Sequence, residues 1–374
     1  MAARVGLWLG ISFTVCFLTG LISHLIQQPP AWFGWPTSPV WLYRVTQGIH
    51  VTTGVASIPL LLVKLWTVSP RFWKWPPITS VISAVERLSV FLLVGAAFFE
   101  LLTGLFNVAE AYLWGFLFPP VHYAVAWVAV GAVAIHVAVK LPVIRRALGG
   151  SLDEDGVPSA DDEAAPAIAD PASPPQTFRG PLSRRGLLGI AFGSAGLAVL
   201  VTVGDKIPAL SFASVLAQRS GAGPQGLPVN RSAADAGVSS VVLSADYRLT
   251  VQGPDGSRDF TVDQLRSMAQ TTAELPISCV EGWSRSAVWT GVPLRDLLAL
   301  VGGTGSGAQM ISADPGLYGR SEVPATVAAD DRTLVALMLG GEPLDVDHGY
   351  PARLIAPNRP GVLQTKWLTR IETV

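Results

Sequence analysis

From Val5 to Tyr43 the chain contains no Asp, Glu, Lys or Arg, and an uncharged run of that length restricts the fold more than any other feature. A helix of about 20 apolar residues crosses the hydrocarbon of a bilayer, and it satisfies its backbone polar groups internally. The first part of the run predicts such a helix over 5–26. Comparable runs predict helices over 45–63, 88–108 and 121–139, with Glu100 the one acid inside a span. A fifth, GLLGIAFGSAGLAVLVTVG, extends from Gly186 to Gly204. A chain 50% hydrophobic and 14% charged fits a membrane protein with an attached soluble domain. The net charge of −1, with no basic stripe, excludes nucleic acid as an expected partner.

The predicted organisation is a four-helix membrane domain over 1–146, an acidic Pro/Ala linker over 147–183, a fifth helix over 184–206 and a soluble domain over 207–374. The linker carries Asp153, Glu154, Asp155, Asp161, Asp162, Glu163 and Asp170, a composition that predicts disorder. Cytoplasmic loops collect basic residues. With the N-terminus inside, Arg4, Lys64, Arg71, Lys74, Arg87, Lys140, Arg145, Arg146, Arg184 and Arg185 fall on the cytoplasmic side, and Arg44 alone falls outside. Five spans then place the soluble domain outside the plasma membrane. Trp32, Trp35 and Trp41 suit either an interfacial aromatic belt or a folded loop. SRRGLLG at 183–189 resembles a twin-arginine export signal, which implies the twin-arginine machinery as a partner; the plainer reading is a positive-inside anchor.

After Val241 the pattern turns to short strands and turns. YRLTVQGPDGSRDFTV predicts a hairpin turning at Asp255 and Gly256, VDQLRSMA and PLRDLLALVG short helices, and ARLIAPN and KWLTRIETV closing strands. This is an α+β domain large enough for its own core. Cys16 and Cys279 are the only cysteines and give no disulfide framework. Cys279, in ISCVEGWS, is either an inert buried thiol or a thiolate presented to a soft metal.

Three motifs resolve that choice by resemblance. LPVNRS at 227–232, LPISCVEGWSRSAVWTGVPLRDLL at 275–298 and GGEPLDVDHGYPARLIAPNRPGVLQTKWLTRIE at 340–372 resemble, in order, the molybdopterin-binding domain of the sulfite oxidase type. The resemblance implies that Cys279 is the catalytic ligand to molybdenum. It implies that Asn230, His348, Arg353, Gln364, Thr365 and Lys366 bind the pterin cofactor, with Ser312 in QMISADPG a weaker match. Arg and Lys suit its phosphate. CVEGWS is most similar to periplasmic methionine-sulfoxide reductases, which implies oxygen-atom transfer from a sulfoxide or similar oxide, free or in an oxidised protein. The alternatives are oxidation of sulfite or another small anion, with Arg285 and Arg320 as anion-recruiting candidates, and a binding module without turnover.

Of five histidines, His24, His50, His122 and His136 lie in the membrane half, where an ionisable side chain points to function and heme is the obvious ligand class. His122 and His136 are 136 − 122 = 14 residues apart, roughly 21 Å along a helix and within about 40° of one face. This spacing resembles that of diheme cytochromes b. His24, His50 and His122 share one depth, which favours a heme b held by His50 and His122 with His24 in support; a second heme at His136 lacks a matching partner. Packing histidines are the plain alternative. Glu100 suits a quinol or proton-relay site, or a carboxyl hydrogen-bonded between helices. Membrane quinone is the expected electron partner.

Overall fold

The computed structural model describes residues 2–72, 81–149, 184–203, 208–216 and 223–374. Nearly all of the predicted linker, and Lys74, lie outside them. Five long helices come first: α1 (Ala2–Gln27), α2 (Leu42–Phe72), α3 (Val81–Val108), α4 (Phe118–Gly149) and α5 (Arg184–Val203). All five are long and apolar enough to cross a membrane. The first four outrun the predicted spans because helix formation does not stop where apolar composition does. α4 even continues through Pro142 into a basic last turn at Arg146, where cations complement the helix dipole.

The chain divides into two compact units. One combines Met1–Thr14, Thr53–Leu105 and Gly115–Leu200. Small residues and hydroxyls let its helices approach, as in membrane bundles generally: Ala191 and Ala195 of α5 are buried with Leu60 of α2, and Ser57 Oγ donates to Ser12 Oγ at 3.0 Å.

The other unit combines Val15–Thr52, Phe106–Trp114 and Val201–Val374, so the connections α1–α2 and α3–α4 fold with the C-terminal domain. Trp35 Nε1 donates to the Asn358 carbonyl at 3.0 Å, and Asn358 Nδ2 donates to the Pro36 carbonyl at 2.6 Å. The Tyr43 amide closes the set on Asn358 Oδ1, also at 2.6 Å. Trp35 therefore belongs to a folded loop.

The domain contains two sheets. Its helices are single turns: α6 (Ser239–Val242), α7 (Val262–Ser267), α8 (Leu294–Ala299) and α9 (Ala325–Ala328). The first sheet orders as β2-β1-β10-β5-β6, from β1 (Leu249–Gly253), β2 (Gly256–Phe260), β5 (Ala308–Ser312), β6 (Arg320–Val323) and β10 (Leu368–Thr373). β1 and β10 run parallel. The second orders as β3-β4-β7-β8, with β9 also on β7: β3 (Thr271–Ser278), β4 (Ser284–Pro293), β7 (Leu334–Leu339), β8 (Glu342–Pro343) and β9 (Arg353–Ile355). The β1–β2 hairpin pairs Gly253 with Gly256, so Pro254 and Asp255 form the turn, one residue earlier than predicted. Thr261 and Gln264 exchange hydrogen bonds as a capping box that starts α7.

Strand alternation gives the second sheet two buried faces. Val335 and Leu337 point into a core with Leu249, Val251, Leu297 and Ile371. Leu334 and Ala336 point into another with Leu275, Trp289 and Cys279, and Leu339 joins them because the β4–β7 pairing shifts register between Ala336 and Met338. The cysteine thus sits at the edge of the second core.

Candidate functional site

The β3–β4 hairpin presents the cysteine. β3 ends at Ser278; the Cys279 amide donates to the Trp283 carbonyl at 2.9 Å and the Gly282 amide donates to the Cys279 carbonyl at 3.0 Å. Gly282 has φ 95°, a conformation that glycine adopts without strain. Asn230 Nδ2 lies 2.9 Å from the Cys279 Sγ and donates to Glu281 Oε2 at 2.7 Å. Trp283 Nε1 donates to the same carboxylate oxygen at 3.2 Å. Cys279 is only 4% exposed, and burial, then the Glu281 charge, hold its thiol well above the ordinary range. Ligation to a metal would remove that proton.

Beyond Asn230 lies a buried cationic cradle. Lys366 Nζ donates to the Arg231 carbonyl at 2.6 Å and to the Asp347 carbonyl at 2.8 Å. Burial pushes its pKa down to about 7. Arg353 donates to the His348 carbonyl at 2.9 Å and to the Gln364 carbonyl at 3.1 Å, and burial lowers its pKa to about 9. Its guanidinium lies 5.3 Å from the Trp289 ring centroid, in the range of a cation–π contact. His348, also shifted down by burial, bonds through Nε2 to the Pro224 carbonyl at 2.6 Å. Gly349, at φ 105°, permits this crowding: a Cβ there would lie 3.0 Å from that of Arg353 and 3.1 Å from that of Lys366.

The cradle suits an anion. Nε of Arg353 and of Arg359 are buried without a hydrogen-bond partner, and a buried donor left unmade costs about 1–3 kcal/mol, more when charged. Both residues flank Gln364, whose Nε2 donates to the Arg359 carbonyl at 3.2 Å. An anionic group such as the pterin phosphate offsets the buried positive charge and supplies acceptors.

All eight predicted cofactor and metal residues of this domain belong to one connected arrangement. Asn230 reaches Cys279; its neighbour Arg231 receives Lys366; Ser312 Oγ donates to the Lys366 carbonyl at 2.7 Å. Thr365 Oγ1 lies 2.6 Å from Ser321 Oγ, Gln364 bridges Arg353 and Arg359, and Arg353 holds His348. Sequence reasoning missed Glu281, although it stands inside CVEGWS, and Arg359, although APNRP adjoins two predicted residues. It also missed the Arg231–Asp314 ion pair of 2.7 Å, which has no local signal.

The membrane histidines are placed separately. His50 Nδ1 lies 2.8 Å from the Cys16 carbonyl oxygen, and His122 Nδ1 lies 3.1 Å from Glu100 Oε2 and 3.3 Å from Thr103 Oγ1. These two belong to different units. His24 and His136 lie half-buried on α1 and α4. Among the described residues, no three or more His, Cys, Asp or Glu side chains gather as a metal cluster.

Residues 236–374 match the family described as oxidoreductase molybdopterin binding domain. The chain is 30% identical over 159 residues to the mitochondrial sulfite oxidase of Drosophila melanogaster, covering 35% of this chain and 28% of that protein. It is 28% identical over 128 residues to the putative protein-methionine-sulfoxide reductase subunit YedZ1 of Azospira oryzae, 34% of this chain and 48% of that one. It is 39% identical over 98 residues to the NAD(P)H nitrate reductase of Hordeum vulgare, 23% of this chain and 11% of that one. The chain thus spans half or less of the length of each of these relatives. Motif order, the buried cationic cradle, the family match over residues 236–374 and the sulfite oxidase likeness agree: the C-terminal region is a molybdopterin-binding oxidoreductase domain of the sulfite oxidase type, carried behind five helices apolar enough to cross a membrane.

Proposed function

We propose that this chain reduces a sulfoxide or similar neutral oxide outside the plasma membrane, with electrons drawn from membrane quinol through a heme b in the helical half. When bound, the molybdenum–pterin group supplies two-electron oxygen-atom transfer. Cys279 supplies the protein thiolate, Asn230 fixes its direction, and Arg353, Lys366, His348, Gln364 and Thr365 hold the pterin and its phosphate. Ser312 holds Lys366 in place through the Lys366 backbone.

The observation that carries the choice of substrate is Glu281. Its carboxylate shares the Asn230 amide with Cys279, and a fixed negative charge so near the thiol repels sulfite and favours a neutral oxide. Sulfite oxidation is the second reading, favoured by the sulfite oxidase likeness. Arg285, half-buried, and Arg320, exposed, are its anion-recruiting candidates.

Heme ligation by His50, and separately by His122 within its own unit, is supported by the engagement of each Nδ1, with a carbonyl in one case and a carboxylate in the other. Such partners fix the tautomer and ring orientation of a ligating imidazole. Glu100 thereby acts as the orienting group for His122. His24 lies in the same unit as His50 and supports that assignment. The basic-residue asymmetry supports a cytoplasmic N-terminus. The folding of the α1–α2 and α3–α4 connections with the C-terminal domain accords with all three lying outside. The Arg184–Arg185 pair that opens α5 supports export of that domain, already folded, by the twin-arginine machinery.

The test is metal and pterin analysis, with a reduced-minus-oxidised visible spectrum, on the full-length protein and its Cys279→Ser variant. Molybdenum, a b-type spectrum and quinol oxidation dependent on a methyl sulfoxide, with turnover lost in the variant, are expected. Turnover with sulfite and none with sulfoxides would reverse the direction, and protein loaded with heme but not molybdenum would leave a binding module.

A further inference from the structure

The cysteine-bearing turn is held from outside its own domain. Gln47 Nε2 of α2 donates to the Val280 carbonyl at 2.9 Å, and Asn107 Nδ2, at the end of α3, donates to the same oxygen at 3.4 Å. Both residues are buried, at 5% and 6% exposure. Val280 follows Cys279 directly, so its carbonyl belongs to the turn that aims the thiol. One helical turn along α2, Val51 meets the other side: a Cβ on Gly282 would approach its Cγ2 to 2.9 Å. Gln47 and Val51 are four residues apart and share one helix face. All these residues belong to one compact unit.

We propose that Gln47 and Asn107 are positioning residues for Cys279: by fixing the Val280 carbonyl they make the direction of the metal-binding thiol depend on the membrane helices. The clamp has further support. Asn107 is itself held, its Oδ1 accepting from Tyr112 Oη at 3.0 Å, and burial and the Glu281 charge raise the Tyr112 phenol to about 12, which places the α3–α4 connection beside the thiol's surroundings. Gln47 precedes His50 by three residues, about 4.5 Å of helix rise. A single helix turn therefore joins the turn carrying Cys279 to the histidine assigned to heme, and the face of the domain at Val280 is occupied by its own chain. An external electron carrier has no place at that carbonyl. This inference rests on the proposed function for its consequence, though its geometry stands alone.

The experiment uses the full chain purified from a host unable to make the pterin cofactor. The rate of Cys279 alkylation by a maleimide is followed on its own peptide by mass spectrometry, together with hydrogen exchange of the 280–283 amides. Gln47→Met keeps the side chain's length but removes the donor; combined with Asn107→Leu it is expected to raise both rates at least about 10-fold, since the turn loses both anchors. Asn107→Leu alone, which removes the longer bond, is expected to raise them less. Unchanged rates in a variant with wild-type helicity and melting overturn the proposal. If the double variant does not accumulate, the Gln47→Met single variant decides by the same criterion. In cofactor-loaded protein, a shifted molybdenum(V) resonance spectrum is expected in the variant, and an identical one also overturns it. Failure of the functional reading looks different: wild-type protein then lacks molybdenum or heme, while protection of the thiol is still measured in full.

Discussion

The two halves of the molecule bury different mixtures. In the C-terminal domain the largest enclosed side chains are apolar, with Trp289, Leu249, Leu297 and Met310 fully buried. Along the long helices, small or polar residues such as Ser23, Gln47, Ser57, Ala96, Ala97, Glu100, Thr103 and Asn107 are buried beside a few larger ones such as Leu60 and Leu61, while Trp66 and Leu88 are 72% and 68% exposed. Water drives the first arrangement, because removing apolar surface from it is favourable. Lipid removes that drive, so helices associate through close approach and internal hydrogen bonds. Polar side chains in the helical half therefore mark where helices meet, and in the domain buried charge marks the cradle.

The contrast fails first if Cys279 is dispensable. Cys279→Ser is expected to reduce turnover by more than the about 10–100-fold cost of losing an outer-shell partner, with folding retained, as checked by steady-state rates and melting of the same preparation. Next comes the polar interior of the helices. Glu100→Ala removes the partner of His122 and is expected to weaken heme retention by about 10–100-fold, read from heme content after dialysis; unchanged retention would return Glu100 to a plain interhelical role.

Core truncation sharpens the comparison on stability. Leu297→Ala, inside the domain core, is expected to cost about 2–5 kcal/mol. Leu88→Ala, on an outward face, is expected to change stability by about 0.5 kcal/mol or less, and denaturant unfolding in detergent measures both. A pH-dependent effect concerns Lys366 in cofactor-free protein. Its folded pKa, about 7, lies below its unfolded value, so the unfolded chain binds the extra proton between the two. Stability contributed here rises as pH increases from about 7 toward the unfolded value of about 10.4, and the penalty is complete below pH 7. Melting from pH 7 to 9 is expected to rise less in Lys366→Met than in the wild type, and phosphate-bearing cofactor is expected to reduce the difference.

Much of this was legible in the sequence. The five apolar helices and the α+β domain behind them follow from composition and strand pattern, and the resemblance of three motifs to a known family named the residues of the cationic cradle apart from Arg359. Helix ends were legible only approximately, since α2 and α4 carry charged residues well past the apolar run. The Pro254–Asp255 turn was displaced by one residue because the Gly253–Gly256 pairing, rather than the Asp-Gly dipeptide, closes the hairpin. Trp35 had two equal readings until Asn358 supplied its partner.

Taken alone, the sequence determined which segments are apolar enough to cross a membrane, which segment carries the molybdopterin-binding domain and which cysteine is the candidate metal ligand in that domain. These properties are local: an apolar run reports its own solvent, and a motif brings its donors within a few residues. Tertiary structure decided that Arg359 joins the cradle, that Glu281 shares the amide of Asn230, and that Gln47 grips a carbonyl 233 residues away. No periodicity encodes such a pairing, because its partner is chosen by the packing of the whole unit around it.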